Sequence, residues 1–286
     1  MRKKRLYRAL AIPCLALLSA CTTPTSQPAV TGQNKATATQ YIRYGSTIEA
    51  GSELAKYTVG IRIYESMRNF MTCTGTIIAK RIILTAAHCF PESPFRVDVV
   101  FSNQIRESRP ELVLHPAGKA TIKNWTDLAT DLTPGSEQRR SYYDIALVSL
   151  DQDIPSSHAI LDLIETAEEQ NSNHIFYSVG FGRSEKEGQF DGLLRQGILL
   201  KKPGTTSGNE ELLDFDGSEG HGPDHGDSGG PAILPTGNGW KLAGICGHTL
   251  TRESDNHYLG SRYVNIIPLR TWILATSLEM LARGNK

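Results

Sequence analysis

The sequence predicts an all-β protein ending in one helix, and three observations carry that reading. Short apolar, β-branched runs recur from residue 42 onward: Tyr57–Tyr64, Gly75–Thr85, Val97–Phe101, Ile145–Leu150, Ile175–Val179, Leu242–Ile245 and Tyr258–Ile267. Turn residues separate them, drawn from 26 glycines and 14 prolines spread along the chain without a period. No long helical period appears before the C-terminus. Runs of this length, bounded by turns, fit the strands of a barrel or sandwich. Pro268 then opens a helix, because its fixed φ suits the first turn, and Leu269, Trp272, Ile273 and Thr276 share one face. That stripe is expected to pack on the barrel and do no chemistry.

Composition narrows the function classes. A chain of 286 residues with 39 % hydrophobic content can bury a sizeable core as one large or two ordinary domains. Thirty Lys+Arg against thirty Asp+Glu argue against a disordered chain and against a nucleic-acid binder. Five cysteines are too few for a disulfide-built miniprotein.

Residues 1–20 read as an export signal. Arg2, Lys3, Lys4, Arg5 and Arg8 form a basic head, and Ala9–Ala20 form an apolar run. As a helix that run spans about 18 Å, short of the ~30 Å bilayer core, so cleavage is expected rather than permanent insertion. Leu18-Ser19-Ala20-Cys21 resembles the bacterial lipobox, which implies cleavage before Cys21 and a lipid on its sulfur. An ordinary signal that happens to contain a cysteine is the alternative. Removing residues 1–20 discards five basic and no acidic side chains, leaving 25 against 30. Residues 21–41, rich in Thr, Ala and Pro, read as a lipidated tether or propeptide with a reach of roughly 25 Å.

Three motifs then stand in the order His, Asp, Ser: Thr85-Ala86-Ala87-His88-Cys89, Asp144-Ile145-Ala146-Leu147 and Gly226-Asp227-Ser228-Gly229-Gly230-Pro231. A serine hydroxyl is a poor nucleophile until an adjacent base takes its proton. An imidazole titrating near neutrality is the usual base, and a carboxylate fixes its tautomer. Glycines beside the serine let bare backbone N–H groups approach a developing oxyanion.

On these motifs the chain resembles the chymotrypsin-like (trypsin-like) serine endopeptidases over about residues 42–275. The resemblance implies two six-stranded antiparallel β-barrels, spanning 42–155 and 156–267, with the C-terminal helix over 268–286. It implies that His88 is the general base, Asp144 its orienting carboxylate and Ser228 the nucleophile. The N–H groups of Gly226 and Ser228 would form the oxyanion hole, with no metal or cofactor. Cys73 and Cys89 match the pair that braces the family's histidine loop, a bond compatible with export. Gly180-Phe181-Gly182 and Leu242-Ala243-Gly244-Ile245 fall in register as well. Cys246 is left over and reads as a buried thiol on a strand rather than as a nucleophile.

Departures from the family bear on activity. Where trypsins hold the aspartate of the substrate pocket this chain has Gly222, and the other pocket positions are Pro223, Thr249 and Ser261. No preference for Arg or Lys is therefore expected. His225 and His248 leave acidic side chains open beside small or apolar ones. Gly247 replaces a serine that hydrogen-bonds the triad carboxylate in the family. Extra residues within Gly118–Arg140 read as a surface insertion, neutral for the fold. Ile42-Arg43-Tyr44-Gly45 resembles the family's mature N-terminus, which implies a cut before Ile42 and pairing of the new ammonium with Asp227. The alternative is that Ile42 is an ordinary first-strand residue.

The expected protein is an exported, lipid-anchored, monomeric endopeptidase of the bacterial cell envelope. Its partners are polypeptide substrates, with the membrane met only through the lipid. A catalytically silent binding protein and an esterase are the rivals. Gly226-Asp227-Ser228-Gly229-Gly230 also satisfies the G-x-S-x-G pattern, with Glu253, Asp255 and His257 downstream, but no strand–helix alternation surrounds it. His221-x-x-Asp224-His225-x-Asp227 has metal-like spacing, although the loop has its explanation in the serine beside it.

Overall fold

The computed structural model describes residues 45–49, 51–91, 94–123, 144–184, 190–202, 211–217, 222–251 and 258–283. Cys21, Ile42, the export signal and the motif residues His221, Glu253, Asp255 and His257 lie outside them.

Strand β1 (Ser46–Thr47) belongs to the second of two sheets. The first sheet contains β2 (Thr58–Tyr64), β3 (Phe70–Ala79), β4 (Ile82–Thr85), β5 (Arg96–Val100), β6 (Val113–Leu114), β7 (Thr121–Ile122) and β8 (Ala146–Ser149), in the order β6-β5-β2-β3-β4-β8-β7. The expected single run Gly75–Thr85 is two strands, because a turn at Lys80–Arg81 reverses the chain. Past β6, Pro116 bridges Leu150 and the Ala117 N–H donates to Ser149 O at 2.8 Å, which joins the two sides of the sheet.

The second sheet holds β9 (Asp162–Leu163), β10 (Ile175–Gly180), β11 (Arg195–Leu200), β12 (Leu212–Asp216), β13 (Pro231–Thr236), β14 (Gly239–Thr251) and β15 (Tyr258–Asn265). Its order is β1-β11-β10-β13-β14-β15-β12, antiparallel except for the parallel pair β9–β14. A bridge from Lys201 to Phe215 links the end of β11 to β12 and brings the sheet round on itself. Six strands were expected in each barrel; the described residues form sheets of seven and eight, in which β1, β6, β7 and β9 are only two residues long. Strands β11, β12 and β13 escape the sequence reading. In β13 the reason is visible: Pro231 and Pro235 punctuate it, and proline donates nothing to a ladder.

Two apolar clusters fill the molecule. Val59, Ile61, Ile63, Ile83, Val99, Phe101 and Val148 lie in the smaller one, and Phe176, Phe215, Ile233, Ile245 and Tyr263 in the larger. Successive side chains of a strand point to opposite faces. In β4, Ile83 therefore joins the smaller cluster while Ile82 and Leu84 join the larger. β8 divides in the same way between Val148 and Leu147. Strands buried on both faces read as continuous apolar runs, as these do.

A short helix α1 (Ala167–Asn171) is capped by Thr166, whose Oγ1 accepts from the Glu169 N–H at 3.1 Å. The C-terminal helix α2 (Arg270–Arg283) follows a 3-10 turn at Ile267–Leu269. Leu269, Ile273 and Ser277 are buried, and Trp272, Met280 and Leu281 pack on the larger cluster, as the sequence stripe predicts.

Candidate active site

Thr85, Ala86 and Ala87 are fully buried at the end of β4, so the chain leaves the sheet on a fixed course into a 3-10 turn, Ala87–Cys89. A disulfide between Cys73 and Cys89 ties that turn back to β3. Closing a loop of this size contributes about 3 kcal/mol. The β4–β8 ladder pairs Thr85 with Ala146 and so carries Asp144, two residues before it, to the histidine.

His88 Nδ1 lies 2.6 Å from Asp144 Oδ2, and the His88 N–H donates to Oδ1 at 2.9 Å. The Asp144 side chain has no exposed surface, whereas that of His88 keeps 31 %, so one edge of the ring is held and the other faces the cleft. Burial acts to lower the pKa of His88, but the hydrogen bond and the charge of Asp144 outweigh it and the net shift is upward.

Ser228 lies in the loop entering β13. Its carbonyl accepts from the Thr74 N–H at 2.9 Å, Gly229 N–H donates to Cys246 O, and Cys246 N–H donates to Gly230 O, both at 2.8 Å. The Ser228 loop is thereby held between β3 and β14. Ser228, Gly226 and His88 line one cleft of about 490 Å³, together with Phe70, Phe190, Arg183 and His225.

Gly226 has φ +105°, a conformation that an L side chain rarely adopts. Among the described residues neither the Gly226 N–H nor the Ser228 N–H donates a hydrogen bond. The carbonyls of the same two peptide units are engaged, with His225 O accepting from Arg183 N–H at 3.1 Å and Asp227 O from Gly230 N–H at 2.8 Å. In a trans peptide C=O and N–H point in opposite directions, so tying the carbonyls directs both N–H groups the other way.

Asp227 is 1 % exposed, and its carboxylate accepts from Gly182 N–H at 2.7 Å and Asp224 N–H at 2.9 Å. A Cβ on Gly182 would fall 2.1 Å from Asp227 Oδ2, which is why that turn residue is glycine. Burial pushes the Asp227 carboxyl up to about 7 against the two donors, and among the described residues no cation forms an ion pair with it.

Gly222 and Pro223 are buried, and Thr249 faces Ser261 across the β14–β15 ladder. The Ser261 hydroxyl is buried with no hydrogen-bond partner among the described residues. Tyr258, 3 % exposed, closes on the same place, because a Cβ on Gly222 would lie 1.8 Å from its hydroxyl. Gly247 is the extra residue of a β-bulge, where the register passes from Cys246↔Tyr263 to His248↔Arg262. His248 then stacks on His88 with centroids 6.3 Å apart and planes within 13°. Cys246 is a buried free thiol on β14.

Of the metal-like motif, Asp227 is buried while His225 is exposed. The sequence reading named His225 of the cleft lining and missed Thr74, Tyr258, Phe70, Arg183 and Phe190. Thr74 stands inside a regular strand and Tyr258 at the head of another, so neither carries a local signal.

Comparison with known proteins is consistent across sequence and structure. Residues 42–273 match the family described as Trypsin. Serine protease SP24D of Anopheles gambiae is 26 % identical over 246 residues, covering 81 % of this chain and 82 % of its own length. The cercarial protease of Schistosoma mansoni is 27 % identical over 194 residues, covering 63 % and 71 %. The solved structure of HL collagenase aligns with a TM-score of 0.62 at 22 % identity, over 82 % of this chain and 97 % of that one.

Proposed function

The chain belongs to the trypsin family of serine proteases, and on that premise we propose that it is an exported endopeptidase acting through His88, Asp144 and Ser228. The observation that carries the reading is the 2.6 Å contact between His88 Nδ1 and Asp144 Oδ2, with the other edge of the ring open to the cleft that holds Ser228. The Ser228 hydroxyl attacks the scissile carbonyl carbon while His88 Nε2 takes its proton. Asp144 holds the tautomer and stabilises the imidazolium. The oxyanion is received by the N–H groups of Gly226 and Ser228. Collapse of the tetrahedral intermediate expels the amine with the proton from His88, and water then releases the acyl group by the same steps in reverse roles.

The substrate lies along β14. From Gly247 to Thr251 this strand pairs with β15 on one side, and no described strand pairs with its other edge, which can take an extended peptide. The side chain before the scissile bond enters beside Gly222, Thr249 and Ser261, where Tyr258 limits depth and, among the described residues, Gly222 takes the place of the trypsin aspartate. Small or apolar residues therefore suit it better than Arg or Lys. Cleavage before Ile42 gives Asp227 its ammonium and at the same time frees the enzyme from a lipid on Cys21.

A fluorophosphonate probe is expected to label the wild type and not Ser228→Ala. Folded protein beginning at Ile42 that stays unlabelled would establish the silent binding protein instead, the reading that Gly247 favours. Peptide-library cleavage mainly after Arg or Lys would refute the pocket assignment. N-terminal sequencing of active protein decides the activation step, since an active form still beginning at Cys21 rules it out.

A further inference from the structure

We propose that Thr74 is a positioning residue that locks the peptide unit between the two oxyanion donors; the proposal rests on Ser228 being the nucleophile. Thr74 is fully buried on β3, across the molecule from the loop in sequence but in contact with it. Its Oγ1 donates to Gly226 O at 2.8 Å and accepts from the Phe181 N–H at 3.1 Å. Its backbone N–H donates to Ser228 O at 2.9 Å, and its own carbonyl accepts from Thr85 Oγ1 at 2.7 Å. One side chain and its backbone thus hold both ends of the Gly226–Ser228 segment.

The hydroxyl acts on one peptide unit. Between residues 226 and 227 the carbonyl is held by Thr74, and the N–H donates to Asp224 O at 2.9 Å. With both polar ends engaged, that unit cannot rotate without breaking two buried hydrogen bonds. The donor units on either side are attached to it at Gly226 and at Asp227, so its orientation sets where their N–H groups point. Gly226 resists such rotation least, having no Cβ. The accepting half of the hydroxyl fixes Phe181, next to Gly182, whose N–H donates to Asp227. Thr74 therefore braces the loop independently of any cation arriving at Asp227.

Thr74→Val keeps the shape and removes the hydroxyl. Its kcat is expected to fall by about tenfold or more, because the loss acts on a donor rather than removing one. KM should stay within about twofold, since ground-state contacts are untouched. Affinity for a peptidyl boronic acid, whose tetrahedral adduct places an oxygen at the oxyanion site, should fall in step with kcat. Thr74→Ser, which retains the hydroxyl, should recover kcat. Thr74→Ala carries the same prediction as valine and serves if the valine chain does not fold. A merely structural role would lower the yield of folded protein and leave the boronic acid affinity per labelled site unchanged. Wild-type kcat and boronic acid affinity in the hydroxyl-free variants, or a serine variant as impaired as they are, overturns the proposal. Wild-type protein beginning at Ile42 that fluorophosphonate does not label overturns the nucleophile and this proposal together; a labelled one confines any failure to Thr74.

Discussion

A carboxylate with no exposed surface depends on the donors its neighbours supply, and among the described residues Asp144 receives two, both from His88. Gly247 stands where a third could be added. A Cβ there would lie 3.6 Å from Asp144 Oδ2 and 3.5 Å from Arg262 O, ordinary contact distances that require nothing to move. A serine hydroxyl would then reach the carboxylate and steady it while the imidazolium forms. Gly247→Ser is expected to raise kcat several-fold, corresponding to about 1 kcal/mol. Steady-state kinetics on one peptide substrate checks this, and an unchanged or lower kcat counts against it. The missing side chain was legible in the sequence. The bulge that places Gly247 between strands was not, because register depends on the partner strand.

Helix α2 shows what periodicity can fix at the scale of an element. Its apolar residues recur at helical spacing, and the stripe predicted from Leu269, Trp272, Ile273 and Thr276 is the face that meets the core. Ile273 is fully buried, while Leu278 on the same helix is 69 % exposed. Ile273→Ala should destabilise the protein by about 2–5 kcal/mol through lost burial and a residual cavity. Leu278→Ala should stay within about 0.5 kcal/mol of the wild type. Chemical denaturation of the two variants tests the packing, and equal losses would contradict it. Strands β11–β13 were less legible than this helix. Strand preference depends on the pleated neighbours a segment meets, and Pro231 and Pro235 argue locally against a strand that the ladder nevertheless accepts.

Asp227 links stability of the whole molecule to pH. Its folded pKa is raised to about 7 from an ordinary 3.8, so between those values the native chain holds a proton that the unfolded chain releases. Its contribution is complete below about pH 4 and is lost as pH rises toward about 7. His88, also raised, acts in the same direction above its ordinary value of 6.5. The wild type should therefore lose stability relative to Asp227→Asn as pH increases from about 4 to about 7. An ammonium at Ile42 would favour the charged carboxylate and flatten the slope in protein beginning at that residue. Urea midpoints across this range measure both effects. Parallel curves for wild type and Asp227→Asn would contradict the first, and an unchanged slope in the shortened chain the second.

What the sequence determined by itself is local. The His, Asp and Ser motifs, the Cys73–Cys89 separation, most of the longer strands and the apolar stripe of the last helix each depend on residues close in the chain. Local sterics and hydrophobic period suffice to read them. The distances that make a site were decided by tertiary structure. His88 and Asp144 are 56 residues apart, and Thr74 and Gly226 are 152 apart. Those approaches follow from which strands pair to bury two apolar clusters at once. The same packing sets Tyr258 against Gly222 and sends β14 into a bulge beside His88. Burial is a property of the assembled sheets, so the hydrogen bonds of Thr74 to the Gly226–Ser228 loop and the approach of Tyr258 to Gly222 appear only once the strands have paired.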